Sequence, residues 1–289
     1  MPPFGLFKES SHKAEWQLTA EEIRNRRTAA WQKHVDAGVS YEEQLAMVVA
    51  CEKHARGVFM HFIERVIAGY ANSSRRLVRT RDAEELRDVN VQTMVLFIKR
   101  YFLEVSPCDV APNLIAATCM ILACKSGEFA NQPQFREAHA AVLKDISRAF
   151  GQSPQTAIDM ELDVLTHLKF KLHAHHPDAL VPRLIARLGS TKPEGLAGIE
   201  ESGKQKEVLG AARKRLIDLQ HTDATLMYSP GVIACACVIL GVTDVYTPTD
   251  DISSTVLSAL GQYSAAGPVN ETVGMIRLGT ATCGLWWPR

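Results

Sequence analysis

The 289-residue chain lacks the strings that usually announce chemistry. No GxSxG, HExxH, P-loop or GxGxxG occurs, so the common hydrolase, metalloprotease and nucleotide-binding signatures are absent. No CxxC pair exists among its seven cysteines, Cys51, Cys108, Cys119, Cys124, Cys235, Cys237 and Cys283, which removes zinc-knuckle spacing. Lys+Arg and Asp+Glu both number 32, so formal charge is zero and a bulk electrostatic grip on nucleic acid is not expected. The apolar stretch 110–124 falls short of the roughly 20 residues of a membrane span. "MPPFGLFKESSHK" has no long apolar core, so no secretory signal is expected, and the mostly apolar setting of the cysteines points to a reducing compartment. Alternating β-branched runs flanked by Asn-Gly or Asp-Gly are missing as well, which argues against hairpins.

What is present is helical period nearly throughout, and the sequence predicts an all-α protein. "SYEEQLAMVVACEKHARGVFMHFIERV" (40–66) opens on a serine before acidic residues and continues with apolar positions three and four apart. "DAEELRDVNVQTMVLFIKRYFLEV" (82–105) carries acids in its first turn, where the helix dipole favours them. Ser153-Pro154 and Ser229-Pro230 each supply a preferred N-cap and first-turn proline, the former opening a helix over 153–170. An amphipathic helix over 19–35 precedes the first core helix. Long connections are expected at 68–81, which is basic, and at 188–204, which is polar and glycine-rich.

An internal repeat organises these helices. "PNLIAATCMILAC" (112–124) aligns with "PGVIACACVILGV" (230–242) at an offset of 118 residues. Pro112/Pro230, Ile115/Ile233, Ala116/Ala234, Cys119/Cys237, Ile121/Ile239 and Leu122/Leu240 are identical. A helix apolar on every side must be surrounded by other helices. Two such helices predict two bundles, each wrapped around one of them. The copies differ at the end: the first runs into Lys125, the second has Thr243.

Two charges stand out against this pattern. Lys125 lies one turn beyond Ile121 and Leu122. Glu161 has Ala157, Ile158, Val164 and Leu165 as its helical neighbours. An unpaired buried carboxylate costs several kcal/mol, so Glu161 needs a partner. Three readings remain open on the residues alone. The two charges reach out to solvent from the edge of the apolar face, they pair with each other, or they stand at a surface completed by another protein.

These residues resemble a known family. "ATCMILACKSGEF" is similar to the third helix of a cyclin box with its L-A-C-K-x-x-E-F ending. "MELDVLTHLKF" resembles the fifth, in which a glutamate precedes a closing phenylalanine as Glu161 precedes Phe170. "SSHKAEWQLTAEEIRNRR", "HHPDALV" (175–181) and "TDATLMYSPGVIACA" (222–236) resemble the N-terminal helix, inter-box linker and second-box motif of transcription-type cyclins. Pro-Gln-Phe at 133–135 leans toward cyclin H. The family ending is more often C-K-V-D/E-E, where this chain has Ser126 and Gly127.

The resemblance implies two tandem five-helix cyclin-box bundles with an extra N-terminal helix: an extension over 1–39, a first box over 40–172 and a second over 173–289. It implies no catalytic site, no cofactor and no metal. It implies a regulatory subunit that binds and activates a cyclin-dependent kinase catalytic subunit through Lys125, Glu161, Glu128 and Phe129. Docking would move the kinase αC helix inward, so that the kinase's own lysine and glutamate pair over ATP. A cyclin H-like chain would serve the CDK-activating and RNA polymerase II tail kinase, with a third assembly subunit and general transcription factor H as further partners, in the nucleus and also the cytoplasm. The alternatives are a cyclin C-like Mediator kinase cyclin and a non-activating two-box helical transcription factor. A helical enzyme using Lys125 and Glu161 as acid and base is a rival from another class.

The remaining features are read as structural. His173, His175 and His176 read as a solvated linker rather than a metal site. Cys235 and Cys237 point about 200° apart on a helix and do not converge on a metal. "SRRLVRTR" (74–81) reads as a solvated basic loop rather than an import signal, and Trp286-Trp287 is left unassigned.

Overall fold

The computed structural model describes residues 10–73, 80–126, 144, 148–246, 252–260, 268–269 and 272–274. Among the described residues the protein is all helical, with no strand. These helices follow one another along the described residues: α1 (Ser11–Trp16), α2 (Ala20–Asp36), α3 (Tyr41–Ser73), α4 (Thr80–Tyr101), α5 (Pro112–Ser126), α6 (Pro154–Asp159), α7 (Glu161–His167), α8 (Val181–Thr191), α9 (Ser202–Leu219), α10 (Ala224–Met227), α11 (Pro230–Val245) and α12 (Ile252–Leu260).

Local chemistry explains the starts. Thr19 and Glu22 form a reciprocal capping box at α2, and Ser40 and Glu43 make the same exchange at the start of α3. Hydrogen bonds from the Thr19 backbone, then its hydroxyl, hold the Glu22 carboxyl below its usual range; the Ser40 hydroxyl, then its backbone, do so for Glu43. A lowered carboxylate contributes stability above its unfolded pKa, so these caps weaken as pH falls through the acid range. Ser153 caps α6 and Ser229 caps α11, each ahead of a proline.

The connection expected over 68–81 is shorter than the sequence implied. Helix α3 runs on to Ser73 and α4 begins at Thr80. A helix already nucleated propagates through Gly69, since one glycine costs only about 1 kcal/mol. The stretch 74–79 and Trp286-Trp287 lie outside the described residues. The helix expected over 153–170 is broken at Met160 into α6 and α7. There the Ala157 carbonyl accepts the Thr118 hydroxyl at 3.2 Å, a side-chain donor inserted into the helical ladder.

The chain divides into two compact units. One is Thr19–Ala174; the other joins Met1–Leu18 to His175–Arg289. In the first, α5 is the hub: every residue from Ile115 to Cys124 is buried. It packs against α3, α4, α6 and α7. Helix α2 belongs to this unit. Trp31, fully buried, donates its indole N–H to Val105 O at 3.1 Å. Gln44, also buried, bonds the carbonyls of Trp31 and Val39 and accepts the Ser106 hydroxyl at 2.7 Å. In the second unit α11 is the hub, packed by α8, α9, α10 and α12. The N-terminal segment adds to it through Leu18 N–H donating to Leu226 O at 2.7 Å.

Two features carry clear energetic consequences. A Cβ on Gly241 would sit 2.8 Å from Ala212 N and 2.9 Å from Val208 O, so this glycine is what lets α9 and α11 approach. Lys99 Nζ contacts both carboxylate oxygens of Glu52 at 2.9 Å, with side-chain exposures of 2% and 1%. Gly241→Ala should lower stability by about 1–3 kcal/mol in chemical denaturation, because backbone must move to admit a methyl group. Lys99→Met should cost up to about 3–5 kcal/mol in the same measurement, because it takes from a buried carboxylate the cation that contacts both of its oxygens.

Candidate functional site

The site lies in the first unit, where the fully buried run of α5 meets solvent. Lys125 is the first exposed residue after Cys124, in the last turn, where a cation also complements the helix dipole. Its Nζ reaches Glu161 Oε1 at 2.5 Å. The side chains are 36% and 17% exposed, so the pair sits at the rim of the bundle. The structure therefore brings together the two charges that the sequence singled out. Glu128 and Phe129 lie outside the described residues.

Glu161 opens α7, a seven-residue helix whose N-cap, Met160, contributes no side-chain cap bond. Val164 and Leu168 anchor the helix in the core. Its far end closes tightly: Phe170 N–H donates to Leu165 O and Lys169 N–H to Thr166 O, both at 2.9 Å. That is a Schellman closure, usually built on glycine, yet Lys169 and Phe170 hold φ of 53° and 57°. The left-handed turn stops α7 and leaves the Phe170 side chain 61% exposed. Leu162, next to Glu161, is 65% exposed. An ion pair with spare hydrogen-bonding capacity, on a helix flanked by exposed Leu162 and Phe170, is suited to contacting a protein surface.

Leu162, between Glu161 and Asp163, was missed because a single leucine in an amphipathic helix carries no signal of its own, and only its exposure distinguishes it. Phe170 was legible as the end of a motif, but the turn that exposes it was not. Sequence reasoning also missed the Glu52–Lys99 pair. The signal was the same one that found Glu161: Glu52 lies on the face of Val48, Ala55 and Phe59. There the partner is internal and the pair is sealed.

The second unit treats the equivalent helix end differently. Thr243 returns its hydroxyl to Ile239 O at 2.9 Å. The following Asp244 takes a bidentate bond from Arg215 at 2.7 and 2.8 Å, and that carboxylate raises the guanidinium pKa. Among the described residues no cluster of three or more His, Cys, Asp and Glu side chains is placed to hold a metal ion. Burial pushes the Cys51 and Cys124 thiols up to about 12, which leaves them inert at neutral pH.

Residues 73–173 match the cyclin N-terminal domain family. This segment is a cyclin N-terminal domain. The cyclin domain spans α4 to α7 and contains both Lys125 and Glu161. Over longer stretches the chain is similar to cyclin-H of Xenopus laevis, 20% identical over 244 residues, covering 81% of this chain and 68% of that protein. It is also similar to cyclin-C of Drosophila melanogaster, 23% identical over 241 residues, covering 81% of this chain and 75% of that one. The match to Cyclin-C1-2 of Arabidopsis thaliana, at 24% identity, spans 54% of this chain and only 56% of that relative's length. Among solved structures, a chain of the yeast TFIIK (Kin28/Ccl1/Tfb3) complex superposes with a TM-score of 0.65 at 19% identity, over 93% of this chain and 99% of that one. A chain of the CAK complex from Chaetomium thermophilum superposes at 0.63 with 18% identity, over 97% and 80%. The fold is thus that of the cyclins.

Lys169→Gly should stabilise the protein by up to about 1 kcal/mol, read as a rise in thermal midpoint, because glycine adopts the left-handed turn without a Cβ penalty. Lys125→Ala should change stability by no more than about 1 kcal/mol in the same measurement, as expected for a pair at the solvent rim.

Proposed function

We propose that the chain is the regulatory subunit of a cyclin-dependent serine/threonine kinase and activates it through the first unit, with 40–172 and 173–289 as its two cyclin boxes. The observation that carries this reading is the Lys125–Glu161 pair at the rim of a cyclin domain, beside exposed Leu162. Lysine has three donors and a carboxylate about four acceptor positions, so the paired groups retain capacity to bond a partner's backbone. The family resemblance also assigns Glu128 and Phe129 to docking, and they are part of the same proposal. Activation follows as population shift: the kinase conformer that fits this face gains differential binding free energy, and its αC helix is held inward. The chain then contributes no catalytic group of its own.

The relatives and structural neighbours favour the transcription branch. They include cyclin-H, the RNA polymerase II holoenzyme cyclin-like subunit, and chains of the TFIIK and CAK complexes. On that basis the kinase is of the CDK-activating and polymerase-tail type, works in the nucleus, and assembles with a third subunit and general transcription factor H. A cyclin C-like role is the second reading, favoured by relatives of that name at similar identity.

Co-expression with a panel of cyclin-dependent kinase subunits tests this directly. A retained kinase active on both an activation-loop segment and the polymerase-tail repeat supports the cyclin H-like role. Activity on the tail alone supports the cyclin C-like role, and retention of no kinase overturns the docking reading. Lys125→Ala combined with Glu161→Ala should abolish activation while the circular-dichroism spectrum stays helical.

A further inference from the structure

The rotation of α7 decides where Glu161 points, yet α7 is short and follows a break in the helix. Val164 and Leu168 bury it, but apolar contacts are non-directional and leave its rotation loosely set. A directional contact comes from α4. The Tyr101 hydroxyl donates to Asp163 Oδ2 at 2.8 Å. Tyr101 is 1% exposed, so its phenol needs an acceptor inside the protein. Burial, and then the bond to Asp163, raises its pKa, which keeps it a donor. His167 braces the same spot: its ring meets Tyr101 edge-on at 5.0 Å, and its Nδ1 lies 2.9 Å from Asp163 O.

Positions 161 and 163 are about 200° apart around a helix. Lys125 therefore holds one side of α7 and Tyr101 the other. We propose that Tyr101, acting through Asp163, is a positioning residue that fixes the rotation of α7 and so aims Glu161 at the partner. This rests on the docking role of Glu161 proposed above. Asp163 has a side chain 45% exposed, so solvent would satisfy its carboxylate without Tyr101. The bond is thus needed for direction more than for burying that charge.

A double-mutant cycle on the full chain with the kinase subunit retained in co-expression tests the idea. Tyr101→Phe removes one oxygen and keeps the ring. Its expected effect is a loss of roughly fivefold in kinase affinity, the scale of one hydrogen bond. In a Glu161→Ala background the loss should shrink to under about twofold, since the aimed residue is gone. Asp163→Asn, whose amide oxygen still accepts the phenol proton, should keep most of the affinity. Equal losses in both backgrounds would mean a merely structural role and overturn the proposal. If Glu161→Ala itself leaves affinity unchanged, the docking reading falls instead. Hydrogen exchange on the unbound chain separates the two failures. Tyr101→Phe should speed exchange across 164–168 and leave α5 unchanged; unaltered exchange in α7 overturns the positioning role whatever Glu161 does.

Discussion

Helices α5 and α11 have no side that can face water, and each unit is arranged around that constraint. An ordinary surface helix buries a stripe and solvates the rest; these two bury the whole circumference over their central turns. Surrounding helices must therefore approach from several directions. Small residues set how near they come, as Gly241 does between α9 and α11. Polar groups inside such a ring need a named partner. Thr118 has two, the carbonyls of Leu114 and Ala157. The second of these links the hub to the point where α6 gives way to α7.

The same constraint sorts the charges. Glu52 and Lys99 sit within the ring, sealed and doubly bonded, where desolvation is large and removing one partner is severe. Lys125 and Glu161 sit where the ring ends. There a pair contributes little to stability and can be remodelled at small cost when a partner arrives. The proposed docking role requires contacts that can be exchanged at small cost, a condition that the rim pair meets and the sealed pair does not. The counterpart end of α11 has no such lysine. Its Thr243 turns back on its own helix, and Asp244 is held bidentately by Arg215.

Segment length follows role. The helices that hold the first unit together, α3 and α4, run for 33 and 22 residues. The helix that presents Glu161 has seven, entered at a break and closed by two left-handed residues without glycine. Strain of this kind persists only where surrounding structure fixes it. Here the Val164 and Leu168 anchors, the Schellman bonds and the Tyr101–Asp163 link supply that fixation.

Helix type and the two buried hubs were legible in the sequence because both depend on short-range pattern: caps, prolines and apolar residues recurring every three or four positions. The Ser153-Pro154 start and the Pro112/Pro230 repeat needed no tertiary information. Nor did the warning that Glu161 lies on an apolar face. What the sequence left open was the partner of each charge. Glu161 is 36 residues from Lys125 and Glu52 is 47 from Lys99, and nothing local distinguishes a sealed pair from one at the rim. The exposure of Leu162 and Phe170, the break at Met160 and the grip of Tyr101 on α7 were likewise settled only by packing. Each arises from contacts between segments distant in the chain, whereas sequence periodicity reports only which face of one helix prefers to be buried.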